Sequence, residues 1–161
     1  MTKPAEACSI RDLISYRLAR TASLMSRGAA LRYRREFAVS LGEWRALALL
    51  AAGPPQSLMH LSRAAGLDKA QMSRVVASLI VRRLVARVAA SQGGRAVELS
   101  LTRSGRAVYN RLIAAAAARD AAFRAALEPD ELAALERALD KLAQQARLFI
   151  KAETALGQEG G

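Results

Sequence analysis

The chain has 161 residues, 52% of them hydrophobic and only 4% aromatic, so a single domain with a core of Ala, Leu and Val is expected. The net charge of +11 favours a polyanionic partner, and the single cysteine, Cys8, excludes a disulfide within the chain. With no signal peptide evident and no apolar run of the ~18 residues that a membrane span needs, a cytoplasmic protein is expected.

The positive charge is concentrated in the middle of the chain. Residues 57–106 hold nine Lys/Arg against two Asp/Glu, a net +7, and residues 1–56 hold nine against four, a net +5. Residues 107–161 hold seven against eight, a net −1, and are rich in Ala and Leu. We therefore expect the middle third to face a polyanion and the last third to pack against protein.

The first part of the chain is predicted to be helical. Ile10–Phe37 carries apolar residues at helical spacing and predicts a long first helix. Ser40 and Glu43 form a capping box that starts a second helix, Leu41–Ala52, which Gly53-Pro54-Pro55 ends.

Two short helices separated by a tight turn follow. Ser57 caps a third helix, Leu58–Ala65, and Gly66-Leu67-Asp68 leads directly into a fourth, Lys69 to about Arg83. A turn this short that contains glycine is typical of a helix-turn-helix.

The remaining elements are a hairpin and two helices. The β-compatible runs Leu84–Ala89 and Arg95–Leu101 flank the turn cluster Ser91–Gly94, which predicts a β-hairpin. A fifth helix is predicted from Arg103 to about Leu127 and a sixth from Pro129 to about Lys151, with a frayed tail at 154–161. The fold class is therefore mainly α with a small β-hairpin wing (α+β): a winged helix-turn-helix flanked by long helices.

The fourth helix is predicted to be the recognition helix. Apolar residues lie at core spacing along one side, and polar or basic residues project from the other side of its first turns. Recognition helices contact base edges from these turns, where Gln can pair with adenine and Arg with guanine. Arg74 is equally suited to a phosphate, and an ordinary solvated face is the alternative. The expected DNA contacts are Ser57, Arg63, Lys69, Gln71, Ser73, Arg74, Arg87 and Arg95.

Three segments together resemble the MarR family of transcriptional regulators over nearly the whole chain. They are 41–45 (LGEWR), 67–74 (LDKAQMSR) and Arg95 through Leu101-Thr102-Arg103-Ser104-Gly105, in matching order and spacing. The resemblance implies a homodimer with interlocking terminal helices, and a small-ligand site where those helices meet each DNA-binding lobe. It assigns 10–37 and 107–151 to dimerisation and 41–106 to the lobe.

The sequence departs from the family pattern at two places. Gly93-Gly94 stand where the family has an acidic residue in the wing, which predicts a less firmly oriented Arg95. Arg83 stands where the family has a glycine at the end of the recognition helix, which predicts a weaker cap and an additional positive charge near DNA.

A small-molecule effector is the second expected partner, and an aromatic acid is the candidate. Aromatic and cationic side chains occur together in a way that suits such a ligand. The candidate ligand-binding residues are Tyr16, Arg17, Arg20, Tyr33, Trp44 and His60. Solvated arginines, dimer-packing tyrosines, a core Trp44 and a boundary His60 are the alternatives. Cys8 invites a redox role, but an incidental thiol is favoured because the chain has no second cysteine.

Other function classes find less support in the sequence. One His and one Cys leave no usual metal cluster, and no phosphate-binding glycine motif is present, so neither an enzyme nor a cofactor is expected. A sequence-neutral architectural DNA-binding protein remains compatible with the charge. The basic wing argues against a helical bundle that binds only protein.

Overall fold

The computed structural model describes residues 9–89 and 97–159 and is mostly helical, with one hairpin. It forms two compact units, residues 1–116 and 117–161, and the boundary falls within the fifth helix. The helices are α1 (Ile14–Phe37), α2 (Leu41–Ala51), α3 (Leu58–Ala65), α4 (Lys69–Val81), α5 (Arg103–Arg124) and α6 (Pro129–Glu159). The strands are β1 (Val85–Ala89) and β2 (Val97–Leu101).

The N-terminal ends of α2, α3 and α4 are capped by local side chains. Ser40 and Glu43 form the reciprocal capping box of α2, and the Ser57 side chain accepts from the His60 N–H at the start of α3. Asp68 caps α4 by accepting from the Gln71 N–H at 2.7 Å. These contacts join residues three apart, so they form as soon as each helix starts.

Two helix ends differ most from the sequence prediction, whereas α4 and α5 end two and three residues earlier than expected, at Val81 and Arg124. The first helix was expected from Ile10, but Ile10–Asp12 forms a separate 3₁₀ turn, capped by Ser9, and α1 starts at Ile14. Leu13 separates the two with extended backbone angles, which interrupt the helical path. The tail from Thr154 was expected to fray, but α6 continues to Glu159 because no proline stops it and alanines favour the helix.

The hairpin is antiparallel and pairs Val85 with Leu101 and Ala89 with Val97. Its predicted turn, Ser91–Gly94, lies outside the described residues. Gln56 forms an isolated antiparallel β-bridge with Leu99 of β2, with two backbone hydrogen bonds of 2.8 and 3.0 Å. The sequence did not predict this bridge, which fixes the α2–α3 loop against the wing.

The hydrophobic core of the first unit lies between α1, α2, α3, α4, α5 and the hairpin. Its fully buried large side chains are Tyr33, Val39, Leu47, Leu61, Met72, Leu79, Val85 and Leu112. In the second unit, none of the residues 117–157 is buried within the chain. None of the helices in the described ranges is long and apolar enough to cross a membrane.

Arg83 adopts a left-handed backbone conformation, with φ of 56°, directly after α4. A side chain in this region costs about 1–2 kcal/mol relative to glycine, and the greater freedom of an unfolded glycine offsets part of the gain. We expect Arg83→Gly to raise the free energy of unfolding by about 0.5–1 kcal/mol, measured by urea denaturation. Arg83→Ala is the control, since it removes the guanidinium but keeps the strain. Equal effects of the two substitutions would contradict a backbone origin.

Candidate nucleic-acid interface

α3 and α4 are joined by the tight turn that a helix-turn-helix requires. Gly66 ends α3 with φ of 65°, a conformation that glycine adopts without strain. The Leu67 N–H donates to the Ser62 carbonyl at 3.0 Å, and Asp68 at once caps the next helix. The turn thus fixes the direction of α4 from its first residue.

The two sides of α4 have different environments. Met72, Val76 and Leu79 are buried against the core. The exposed residues of its first turns are Lys69, Ala70, Gln71, Ser73 and Arg74. The predicted division of this helix into a core side and a polar side is therefore present.

The other predicted contact residues that the structure describes are also exposed. Arg63 on α3 and Arg87 on β1 are exposed, as is Ser57 at the start of α3. Ser73 and Arg87 both line a cleft of about 220 Å³ between α4 and the hairpin. Arg95 lies outside the described residues.

The cationic groups of this surface are available for a ligand. Within the described ranges, the side chains of Arg63, Lys69, Arg74 and Arg87 form no ion pair or hydrogen bond. Arg and Lys side chains without carboxylate partners are the groups that neutralise DNA phosphates. The surface therefore has the charge and the exposure that a DNA contact needs.

A compact junction holds the end of α4, the hairpin and α5 together. The Thr102 hydroxyl donates to the Arg83 carbonyl at 2.7 Å and accepts from the Gly105 N–H at 2.9 Å, while the Thr102 N–H donates to the Leu84 carbonyl at 3.1 Å. Gly105 is buried and packs directly against the backbone of Leu84. A Cβ at position 105 would overlap the Leu84 carbonyl oxygen. Glycine at 105 is therefore a packing requirement.

Solved structures share this architecture. A MarR/EmrR family transcriptional regulator from Acinetobacter sp. ADP1 superposes with a TM-score of 0.79 at 23% identity, over 88% of this chain and 99% of that chain. The MepR–DNA complex of S. aureus gives 0.74 at 17% identity, over 86% and 99%. A Mycobacterium tuberculosis MarR family protein in complex with salicylic acid gives 0.66 at 28% identity, over 81% and 96%. None of the curated proteins compared with the chain matches it significantly.

A family model matches part of the sequence. Residues 39–96, from the start of α2 into the wing, match the family model described as MarR family. The family model and the solved structures therefore agree that the chain is similar to MarR-family transcriptional regulators. Its fold is that of the winged-helix MarR regulators, as the sequence predicted.

A buried carboxylate contacts the end of α4. Glu43 is 7% exposed and, with Ser62, one of two buried polar residues among those described. Its Oε2 accepts from the Ser40 N–H at 2.7 Å. Its Oε1 accepts from the Ser78 hydroxyl at 2.7 Å and from Arg82 Nη1 at 3.2 Å. Glu43 therefore caps α2 and also holds the last turns of α4.

These contacts affect the protonation of Glu43. Burial alone would raise the pKa of Glu43, but the hydrogen bonds from Ser40 and Ser78 and the charge of Arg82 outweigh it and lower this pKa from the ordinary 4.5. Because the folded pKa lies below the unfolded one, the carboxylate contributes stability at neutral pH. That contribution is lost as the pH falls through the folded pKa.

We expect Glu43→Gln to have a lower free energy of unfolding than wild type at pH 7. At about pH 3 this difference should be smaller, because wild type has lost the contribution of the Glu43 charge there and the variant has none to lose. Urea unfolding midpoints at the two pH values measure this change. Asp120→Asn, which breaks an exposed ion pair with Arg124, is the control and should lower stability much less at pH 7. A Glu43→Gln deficit that does not change with pH would contradict the assigned role of the charge.

The predicted ligand residues do not gather in one cleft. Tyr33 is fully buried, Tyr16 is half-buried, and Arg17, Arg20 and His60 are exposed. Trp44 packs on Tyr33 with ring centroids 5.6 Å apart and stacks on Tyr109 at 6.0 Å and 12°. The structure thus brings Tyr33 and Trp44 together, in an aromatic stack that joins α1, α2 and α5.

A different set of cations lines the α1–α2 cleft, a cavity of about 440 Å³. Its lining comprises Arg27, Arg34 and Arg35 with Ala30, Leu31, Ser40 and Leu41. An adjoining cleft of about 430 Å³ shares Arg27, Ala30 and Leu41 and adds Arg45. None of the residues that line these two clefts is an Asp or a Glu. Sequence periodicity did not identify these arginines as a group, because their convergence depends on how α2 packs against α1.

Within the described parts of the chain, no cluster of three or more His, Cys, Asp or Glu side chains is arranged for a metal ion. Cys8 lies outside these parts. The surfaces with ligand-binding character are therefore the exposed basic face of α4 and the clefts along α1 and α2.

Proposed function

We propose that the chain is a homodimeric, sequence-specific DNA-binding regulator that represses at a pseudo-palindromic operator and is released from it by a small anionic ligand. The observation that carries the proposal is the exposed and unpaired basic face on the first turns of α4, backed by a buried core face. A helix with this division can enter the major groove without exposing the core.

In this proposal α4 contacts base edges, and the residues around it contact the DNA backbone. Gln71 pairs with adenine and Arg74 with guanine or a phosphate in the major groove. Ser57, Arg63, Lys69 and Ser73 complete the contact, and Arg87 and Arg95 place the wing along the phosphates or in the minor groove. The S. aureus relative was solved as a complex with DNA, which supports the same use of the shared fold.

The proposed dimer covers apolar surface that one chain leaves open. On α6 the exposed apolar residues include Leu135, Leu139, Leu142, Phe149 and Ile150, and α1 exposes Ile14, Leu18, Leu24, Met25 and Leu31. Burial of such stripes against a second copy stabilises by about 25 cal/mol per Å². Two-fold symmetry then sets the two α4 helices about 34 Å apart, one turn of DNA.

The α1–α2 cleft is the proposed effector site. It lies between a helix of the proposed dimer scaffold and the first helix of the DNA-binding lobe, and its arginines and apolar walls suit an aromatic acid. The M. tuberculosis relative was solved in complex with salicylic acid, which supports this ligand class. Bound ligand would favour a lobe separation that does not fit two half-sites.

Selection of duplexes from a random pool tests the proposal against an architectural role. A regulator enriches one pseudo-palindrome with half-sites about 10 base pairs apart and prefers it over random DNA by ~10³ or more. Sedimentation at the same concentrations should give a dimer. A failure to enrich any sequence, together with affinity that falls steeply with salt, would favour the architectural protein instead.

The wing contacts make a separate prediction about salt. A dimer that loses one phosphate contact per copy lowers the slope of log K against log salt by about 1.8, twice the 0.9 of a single contact. We expect this change for Arg95→Ala and for Arg87→Ala, measured by fluorescence anisotropy on the selected duplex. Lys141→Ala on α6 is the control. An unchanged slope in both variants would mean that the wing does not touch the backbone.

A further inference from the structure

The segment Ser40–Glu43 has two surfaces with different neighbours. Ser40 and Leu41 line the α1–α2 cleft. The next two residues, Gly42 and Glu43, contact α4, the proposed recognition helix. Four consecutive residues therefore connect the cleft to the helix that carries Lys69–Arg74.

The contact between this segment and α4 leaves little room for relative movement. An ideal Cβ on Gly42 would lie 3.0 Å from Val75 Cγ2, so the backbone of α2 already packs against α4 at this point. Ser78, one turn further along α4, and Arg82, at the C-cap of α4, both donate to the same Glu43 oxygen. The segment thus holds α4 by packing at Val75 and by hydrogen bonds at Ser78 and Arg82.

On the cleft side, the same segment lies opposite cations. The cleft brings Arg27, Arg34 and Arg35 of α1 to Ser40 and Leu41. Arg35 also pairs with Glu36, at 2.8 Å, whereas Arg27 and Arg34 have no ion pair among the described residues. An anion held by these arginines therefore sits against the first residues of α2.

We propose that Ser40–Glu43 is the coupling element through which an anion in the α1–α2 cleft changes the position of α4, with Glu43 as its positioning residue. The inference rests on the proposed function. An anion that enters the cleft displaces Ser40 and Leu41, and the anchored Glu43 transfers the displacement to Ser78 and Arg82. Since α4 moves as a rigid helix, the displacement reaches Lys69–Arg74 at its other end.

A tethered anion tests the coupling without the natural ligand. Ala30 lines both clefts, so Ala30→Cys in a Cys8→Ser background provides a single thiol there. 2-Sulfonatoethyl methanethiosulfonate converts this thiol to a mixed disulfide, releases methanesulfinate and leaves a sulfonate in the cleft. The matched control is Ala52→Cys with the same label, since Ala52 is exposed at the opposite end of α2.

The measured quantity is the operator Kd with the label divided by the Kd without it. We expect a ratio of about ten or more for Ala30→Cys, within the usual range of allosteric coupling, and near one for Ala52→Cys. With Glu43→Gln or Ser78→Ala added, the Ala30→Cys ratio should fall below about three. Thermal unfolding of each labelled protein verifies that the fold persists, and Ser78→Ala keeps the test valid if Glu43→Gln unfolds.

Two outcomes would overturn the coupling role. One is a labelled Ala30→Cys protein that binds its operator as tightly as the unlabelled one. The other is a tenfold ratio that persists when Glu43 or Ser78 is changed. An unlabelled protein that enriches no duplex from the random pool would instead refute the proposed function, and this inference with it.

Discussion

Arg74→Ala is expected to produce the largest loss of operator binding of any single substitution on α4. A base or phosphate contact by arginine contributes about 1–3 kcal/mol, and a dimer loses two, so the binding free energy should fall by about 2–6 kcal/mol. The side chain is exposed and unpaired in the described parts of the chain, so its removal leaves the core intact.

Fluorescence anisotropy with the selected duplex measures this loss, and sedimentation verifies that the dimer persists. Lys141→Ala, which removes an equal charge from exposed α6, should change affinity by less than about twofold because Lys141 is not one of the proposed DNA contacts. If the Arg74→Ala protein bound as tightly as wild type, α4 would not be the recognition helix. A uniform loss on all sequences would assign Arg74 to a phosphate instead of a base.

Gly105→Ala is expected to cause the largest loss of stability. The added Cβ would overlap the Leu84 carbonyl oxygen, a backbone atom that no rotamer change can move away. Overpacking typically costs 1–3 kcal/mol, and an overlap with backbone should reach about 3 kcal/mol or more. The Thr102 junction would open as well, so the wing and the end of α4 should lose their common anchor.

Urea denaturation measures this effect, with Gly157→Ala as the matched control. Gly157 also lies in a helix, but nothing stands within 4 Å of its ideal Cβ position, so this substitution should be neutral or slightly stabilising. Gly42→Ala should give an intermediate loss, since the nearest atom at 3.0 Å is a side-chain methyl of Val75 that can shift. A Gly105→Ala protein as stable as wild type would show that the junction is looser than described.

Local signals predicted the order and type of the elements. Ser40, Ser57 and Asp68 each accept a backbone N–H three residues ahead, and a contact at that separation depends on little beyond the local sequence. The Gly66 turn is local in the same sense. The core face of α4, from Met72 to Leu79, followed from helical periodicity alone.

The features that the sequence did not reveal depend on tertiary contacts. Glu43 was identified as a capping residue, but its partners Ser78 and Arg82 lie 35 and 39 positions further along the chain. The Gln56–Leu99 bridge and the packing of Gly105 on Leu84 are of the same kind. A glycine inside the first turn of a helix was a usable hint at 105, since helices disfavour it unless packing requires it.

The proposed effector site was also predictable only in part from the sequence. The cationic and aromatic character of α1 was evident in the sequence, but the α1–α2 cleft is lined by Arg27, Arg34 and Arg35 and not by Arg17 or Arg20. Which arginines of a long helix face a cleft depends on where the next helix crosses it. That crossing is fixed by the buried Tyr33 and Val39, not by a repeat visible in α1.

The stack of Trp44 between Tyr33 and Tyr109 provides the protein with an intrinsic optical probe. Trp44 is the sole tryptophan of the chain, so its emission comes from one place, where α1, α2 and α5 meet. A change in the angle between these helices alters the contact of the indole with its two neighbouring rings. Titrations with candidate effectors or with duplex DNA can therefore be followed in the unlabelled protein, by the intensity and wavelength of a single emitter.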